Sequence, residues 1–192
     1  MSWSGLLIYW ANPVSDLGIG DWVLFHFFPD SFYKYFDLDH RLAEGMSVHF
    51  TVMWIFALNG LFYFLYLLLA RDIRFLVPKK HAFRDAFAVV IQDLGLRGVV
   101  RGRDKYNPAQ RLAYTSVVLM GAGSLVTGLA IYKPAQLATL TFVLGGYEWA
   151  RWEHFWLMIG FAVFFCIHIL QVLRAGWNNF RSMVAGFEVD SE

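Results

Sequence analysis

The stretch His154–Leu173 reads HFWLMIGFAVFFCIHILQVL: twenty residues without an Asp, Glu, Lys or Arg, carrying a histidine at its first position and another fourteen residues on. As a helix, twenty residues span about 30 Å, the thickness of a bilayer's hydrocarbon core. At about 100° per residue, His154 and His168 fall about 40° apart on one face and about 21 Å apart along the axis. The segment predicts a membrane-spanning helix that presents two histidines to one side at two depths.

Working outward, two further runs lack those charges: Gly45–Ala70, with 26 residues, and Leu112–Tyr132, with 21. Each is long enough to span. The whole chain of 192 residues is 58% apolar and 19% aromatic, and only 16% is charged, against roughly 25% in an average soluble domain. Disordered tails need the opposite balance. A disulfide scaffold needs more than the single Cys166, which reads as a buried, small apolar residue. A net charge of +1 argues against a nucleic-acid partner. Met1–Ser15 is uncharged too, but Pro13 limits its helix to about residues 2–12, so it reads as the second half of a membrane helix. Without a charged leading region it is a poor signal peptide. Pro134–Tyr147 is too short to span and reads as interfacial or re-entrant. The expected fold is all-α, one domain over residues 1–192: a transmembrane four-helix bundle with an incomplete first helix and spans near 2–12, 45–70, 112–132 and 153–174.

Cations set the orientation. Arg71–Asn107 carries nine: Arg71, Arg74, Lys79, Lys80, Arg84, Arg97, Arg101, Arg103 and Lys105. Pro13–Glu44 has only Lys34 and Arg41, against six acids. The basic connection therefore faces the cytoplasm, and so does the C-terminal tail. Within it, Phe83, Phe87, Val90, Ile91 and Leu94 recur at helical spacing, so His81–Val100 reads as an amphipathic helix on the inner membrane face.

Ionisable residues at membrane depth are costly and are functional candidates. Histidine is also a common haem ligand. His49 lies just inside the outer end of the second span and His154 at the outer end of the fourth, so their depths match, as a bis-histidine haem needs. His168 sits deeper, where a second haem could be held. Polar contacts between helices are the competing account. Gly121, Gly123, Ser124, Gly128 and Ala130 in the third span allow close approach of either a helix or a flat macrocycle. His26, His40 and His81 fall in connections, where surface histidines are common. Trp149, Trp152 and Tyr147 fit an interfacial belt.

Four blocks carry a family resemblance: RLAEGMSVHFTVMWIFALNGLFYFLY at Arg41–Tyr66, KYNPAQRLAYTSV at Lys105–Val117, GLAIYKP at Gly128–Pro134 and HFWLMIGFAVFFCIHILQV at His154–Val172. Together they resemble the bacterial cytochrome b561 and nickel–iron hydrogenase b-type cytochrome family, nearest to thiosulfate reductase cytochrome b subunits. The resemblance runs from Leu6 over nearly the whole chain. It implies a di-haem b membrane subunit of the inner membrane. Such a subunit passes electrons between the quinone pool and a periplasmic-side redox partner of molybdoenzyme or hydrogenase type. By motif, His49 and His154 would hold the outer haem iron. His168 would hold the inner one, opposite a first-helix histidine that is missing here, where the first helix reads as truncated.

Electron transfer is accordingly the leading expectation, with the substrate-converting centre on the partner. Asn107, Gln110 and Arg111 are candidates for an inner-side quinone site, with helix capping and headgroup contact as the rival explanation. Arg41, Lys133 and Arg151 could meet haem propionates or simply reach for the interface. A haem-free membrane anchor or transporter subunit is the alternative function, although no inverted repeat is visible.

Overall fold

The computed structural model describes residues 1–12, 17–19, 22–25, 27–93 and 106–175. The chain opens with helix α1 (Ser2–Ala11), then a short antiparallel hairpin of β1 (Leu17–Ile19) and β2 (Trp22–Phe25). A single turn-and-a-half helix, α2 (Asp30–Tyr35), leads into the long α3 (Leu42–Leu69). Then come α4 (Ile73–Leu76), α5 (Ala82–Asp93), α6 (Pro108–Tyr132), α7 (Ala138–Val143) and α8 (Tyr147–Ala175). The helical architecture matches the expectation. The small hairpin was not anticipated from the sequence.

Among the described residues, helices α3, α6 and α8 are long and apolar enough to cross a membrane. Their ends overrun the uncharged runs because charged residues occupy end turns: Glu44 in α3, Glu148 in α8 and Arg111 at the start of α6. With 28 residues, α3 is about 42 Å long, more than a bilayer core requires. It stops because Arg71 adopts a left-handed conformation (φ 55°), and the amides of Arg71 and Asp72 turn back onto the carbonyls of Leu68 and Leu67. Asn107 starts α6 with a reciprocal cap: its side chain accepts from the Gln110 amide at 2.8 Å, and its own amide donates to Gln110 Oε1 at 3.0 Å. Pro108 follows at the first helical position, where a missing N–H costs nothing. The 134–147 connection contains the short α7 and closes on two left-handed glycines, Gly145 and Gly146.

Packing divides α1 and the three long helices into two pairs. In one, α1 lies against α3 and crosses it at Gly45, where a Cβ would stand 2.6 Å from Leu7 Cβ and 3.1 Å from the Ser4 carbonyl. In the other, α6 lies against α8 through Gly123, beside Leu157, and Gly160, beside Met120. By contrast, α3 meets α6 at few points, among them Phe50 against Tyr132 and Phe56 beside Gly121. The buried centre sits near the start of α3: Leu7, Tyr33 and Leu38, backed by Leu6, Trp10, Phe28 and Phe32. Phe155 is fully buried and joins the cluster through edge contacts with Tyr9, Phe27 and Phe28. Most of the apolar surface of the three spans faces outward, as a lipid solvent allows. Cys166, expected to be buried, lies on that outward surface.

The amphipathic segment is α5, with Phe83 and Phe87 exposed and Ala82 and Ala86 buried. Its continuation, from Leu94 to Val100, and the cations Arg97, Arg101, Arg103 and Lys105 lie outside the described residues.

Candidate functional site

Helix α3 carries His49 seven residues after its start at Leu42, and α8 carries His154 seven residues after its start at Tyr147. The two rings face each other from different helix pairs. Their centroids are 6.2 Å apart and their planes stand at 70°. Both side chains are half-buried.

Each ring is held by the neighbouring helix of its own pair. Ser4 Oγ of α1 lies 3.1 Å from His49 Nδ1, and Thr127 Oγ1 of α6 lies 2.9 Å from His154 Nδ1. A glycine follows each hydroxyl residue and lies beside the ring, and only Gly128 is needed to make room for it. A Cβ at Gly5 would sit 3.8 Å from His49 Cε1; one at Gly128 would sit 3.3 Å from His154 Cε1. The close crossing at Gly45, one helical turn before His49, is what brings Ser4 within reach.

A metal-binding group fits this arrangement. With Nδ1 occupied on both rings, Nε2 is the nitrogen available as a ligand. Two imidazoles bound to opposite sides of one metal through bonds of about 2 Å have centroids about 6 Å apart. Among the described residues, no three His, Cys, Asp or Glu side chains come together. The donor set is therefore a pair of imidazoles, which suits the axial positions of a haem rather than a cage of protein ligands. An apolar groove of about 410 Å³ runs beside His154, lined by Gly123, Thr127, Leu144, Trp152, Trp156 and Leu157 among others, with Glu153 at its edge.

The other histidines are separate from this pair. His168 lies fourteen residues along α8, about 21 Å from His154. It is exposed and stacks on Phe164, with ring centroids 5.9 Å apart and planes 8° apart. His40 is exposed, in a left-handed turn (φ 56°), with its ring 4.4 Å from Trp10. His81 is likewise exposed and left-handed (φ 73°). His26 lies outside the described residues.

At the other end of α6, Asn107 and Gln110 form the capping box, and Arg111 is buried, its Nη1 donating to the Val77 carbonyl at 3.2 Å. Thr115 Oγ1 adds a 2.6 Å bond to the Leu76 carbonyl, so the start of α6 clamps the turn after α4. A small cavity of about 40 Å³ lies there, lined by Lys79, Ala82, Asp85, Tyr106, Pro108 and Arg111.

Arg41, Lys133 and Arg151 also have definite partners. Arg41 pairs with Glu44 at 2.7 Å and Asp37 at 3.2 Å, and Lys133 Nζ lies 4.9 Å over the Tyr132 ring. Arg151 is buried: it pairs with Glu148 at 2.9 Å and donates to the Asn12 carbonyl at 2.6 Å. Tyr9 Oη returns a bond to the Arg151 carbonyl at 3.0 Å. A cation at the C-terminal end of α1 also complements that helix's dipole. Arg151 thus ties α1 to α8.

Sequence reading missed Ser4 and Thr127. The available signal was a hydroxyl residue followed by glycine within an apolar run, at Ser4–Gly5 and again at Thr127–Gly128.

Comparison with known proteins agrees with this chemistry. Residues 3–186 match the family model described as prokaryotic cytochrome b561. A protein of Azospira oryzae, carried under the provisional name of protein-methionine-sulfoxide reductase subunit YedZ1, is 30% identical over 174 residues, covering 88% of this chain and 78% of that protein. No solved structure matches. With three membrane-spanning helices and a facing pair of histidines, the chain belongs to the prokaryotic cytochrome b561 family and is a multi-pass membrane protein that binds haem b and transfers electrons.

Proposed function

We propose that His49 and His154 would hold the iron of one haem b, and that the chain moves electrons between the quinone pool and a redox subunit on the outer side of the bacterial inner membrane. The observation that carries this reading is the 6.2 Å pair of imidazoles, each with its Nδ1 engaged by a hydroxyl. A bis-histidine haem supplies one-electron transfer with no open coordination position. Around it, this chain holds the two ligands on separate helix pairs, orients each ring through its hydroxyl, and keeps water away with the buried cluster around Phe155.

His168 is the proposed ligand of a second haem on the inner side, its other ligand coming from outside the described residues. The quinone site is proposed at the inner end of α6. There Asn107 and Gln110 have amide N–H groups beyond those used in the cap, and Arg111 sits behind them. Quinol oxidation releases two electrons and two protons. The electrons leave singly, and the protons stay on the side where the quinol binds. The Azospira relative is named as a subunit of a reductase. That supports a substrate-converting partner, of molybdoenzyme or hydrogenase type, for this chain too.

Reduced-minus-oxidised spectra of the purified protein from haem-supplied cells test the assignment. Wild type should show a b-type absorbance change. His49→Ala and His154→Ala should each lose the same spectral component, and His168→Ala should leave that component in place. Loss of different components from His49→Ala and His154→Ala would refute the pairing. A wild-type protein with no b-type signal would sink the haem reading itself.

A further inference from the structure

We infer that Ser4 and Thr127 are positioning residues that fix both histidines as the Nδ1–H tautomer, leaving Nε2 as the ligating nitrogen of each. The inference rests on the His49–His154 pairing proposed above and concerns residues that never touch the metal.

A hydroxyl has one proton to donate and lone pairs to accept with. Thr127 Oγ1 lies 2.7 Å from the Gly123 carbonyl oxygen, and Ser4 Oγ lies 2.8 Å from the Met1 carbonyl oxygen. A carbonyl can only accept, so two oxygens that close need a proton between them, and the hydroxyl supplies its only one. The remaining contact, 2.9 Å from Thr127 Oγ1 to His154 Nδ1 and 3.1 Å from Ser4 Oγ to His49 Nδ1, must then be donated by the ring. The opposite tautomer would set a nitrogen lone pair against oxygen lone pairs in a half-buried site and leave an acceptor unsatisfied.

Serine and threonine commonly back-bond to the preceding helical turn, and this explains the carbonyl contacts alone. It does not explain why both back-bonded hydroxyls, on two different helices, meet an imidazole at Nδ1. The repeated unit is carbonyl, hydroxyl, Nδ1–H, ring. Donating to the carbonyl polarises the hydroxyl, which makes it a better acceptor for the ring N–H. A ring that donates from Nδ1 is a stronger electron donor through Nε2 and favours the oxidised metal. Both hydroxyls therefore hold the midpoint potential down.

Potentiometric titration of the full-length haem-bound protein tests this. Thr127→Val removes one oxygen and keeps the branched shape; Ser4→Ala does the equivalent at the other ligand. Each should shift the midpoint potential to more positive values and weaken haem retention by about tenfold. Thr127→Ser, which keeps the hydroxyl, should return the wild-type potential. Haem-bound Thr127→Val and Ser4→Ala with wild-type potentials would overturn the inference. Histidine ¹⁵N spectra of the protein prepared without haem give a second reading, independent of whether any variant retains it. The wild type should show protonated Nδ1 and unprotonated Nε2 at His49 and His154, and each variant should lose that bias at its own histidine. A mixture of tautomers in the wild type would count against the inference, while absence of haem from the wild type would count against the pairing instead.

Discussion

Gly128 and Gly5 occupy equivalent places behind the two imidazoles, yet they differ in tolerance. A methyl at Gly128 would come within 3.3 Å of His154 Cε1, so the ring or the helix must yield by a few tenths of an ångström; at Gly5 the distance of 3.8 Å is ordinary contact. Gly128→Ala should therefore cost about 1 kcal/mol and disturb the haem spectrum, while Gly5→Ala should leave it unchanged; thermal melts followed at the haem absorbance would compare them. The histidines were legible in the sequence because an ionisable group in a charge-free run stands out. Their hydroxyl partners were not. Which residue of a neighbouring helix meets a ring depends on the crossing point and the rotation of both helices. Gly45 fixes the crossing for His49, and nothing in the composition near Ser4 announces it.

At the level of elements, the three long helices were readable from the gaps between charges, but their ends were not, since Glu44, Arg111 and Glu148 are helical residues that the gaps leave out. The role of Arg151 was hidden for a related reason. A cation at a membrane boundary looks like a side chain reaching for water, and only the folded chain shows it spent on the last carbonyl of α1 and on Glu148. Arg151→Met keeps much of the volume but leaves that carbonyl and the Glu148 carboxylate without their cation. We expect a loss of about 1–3 kcal/mol, seen as a lower unfolding temperature in detergent, with no change in midpoint potential because His49 and His154 keep their hydroxyl partners. A wild-type melting point for Arg151→Met would show the clamp to be idle.

For the whole molecule, the nine cations between Arg71 and Asn107 predict a cytoplasmic position for that connection and for the start of α6. Reporter fusions should read cytoplasmic after Asp93 and after Arg174, and periplasmic in the 134–147 connection. The reverse pattern would move the proposed quinone site to the wrong side. Helix pairing was not readable from the sequence at all, and it has a consequence for the life of the protein in the cell. The two histidines belong to α1–α3 and α6–α8, which are joined near the histidine pair by Tyr9, Arg151 and Phe155 and meet further along mainly through ring contacts, Phe50 with Tyr132 and Phe56 with Phe161. A group bound to both histidines is a crosslink between two otherwise loosely associated hairpins, and its binding free energy adds to their cohesion. Cells short of haem should then fail to accumulate this protein, because the uncrosslinked halves are a ready substrate for membrane proteases: cofactor supply would govern the subunit's abundance as well as its redox activity.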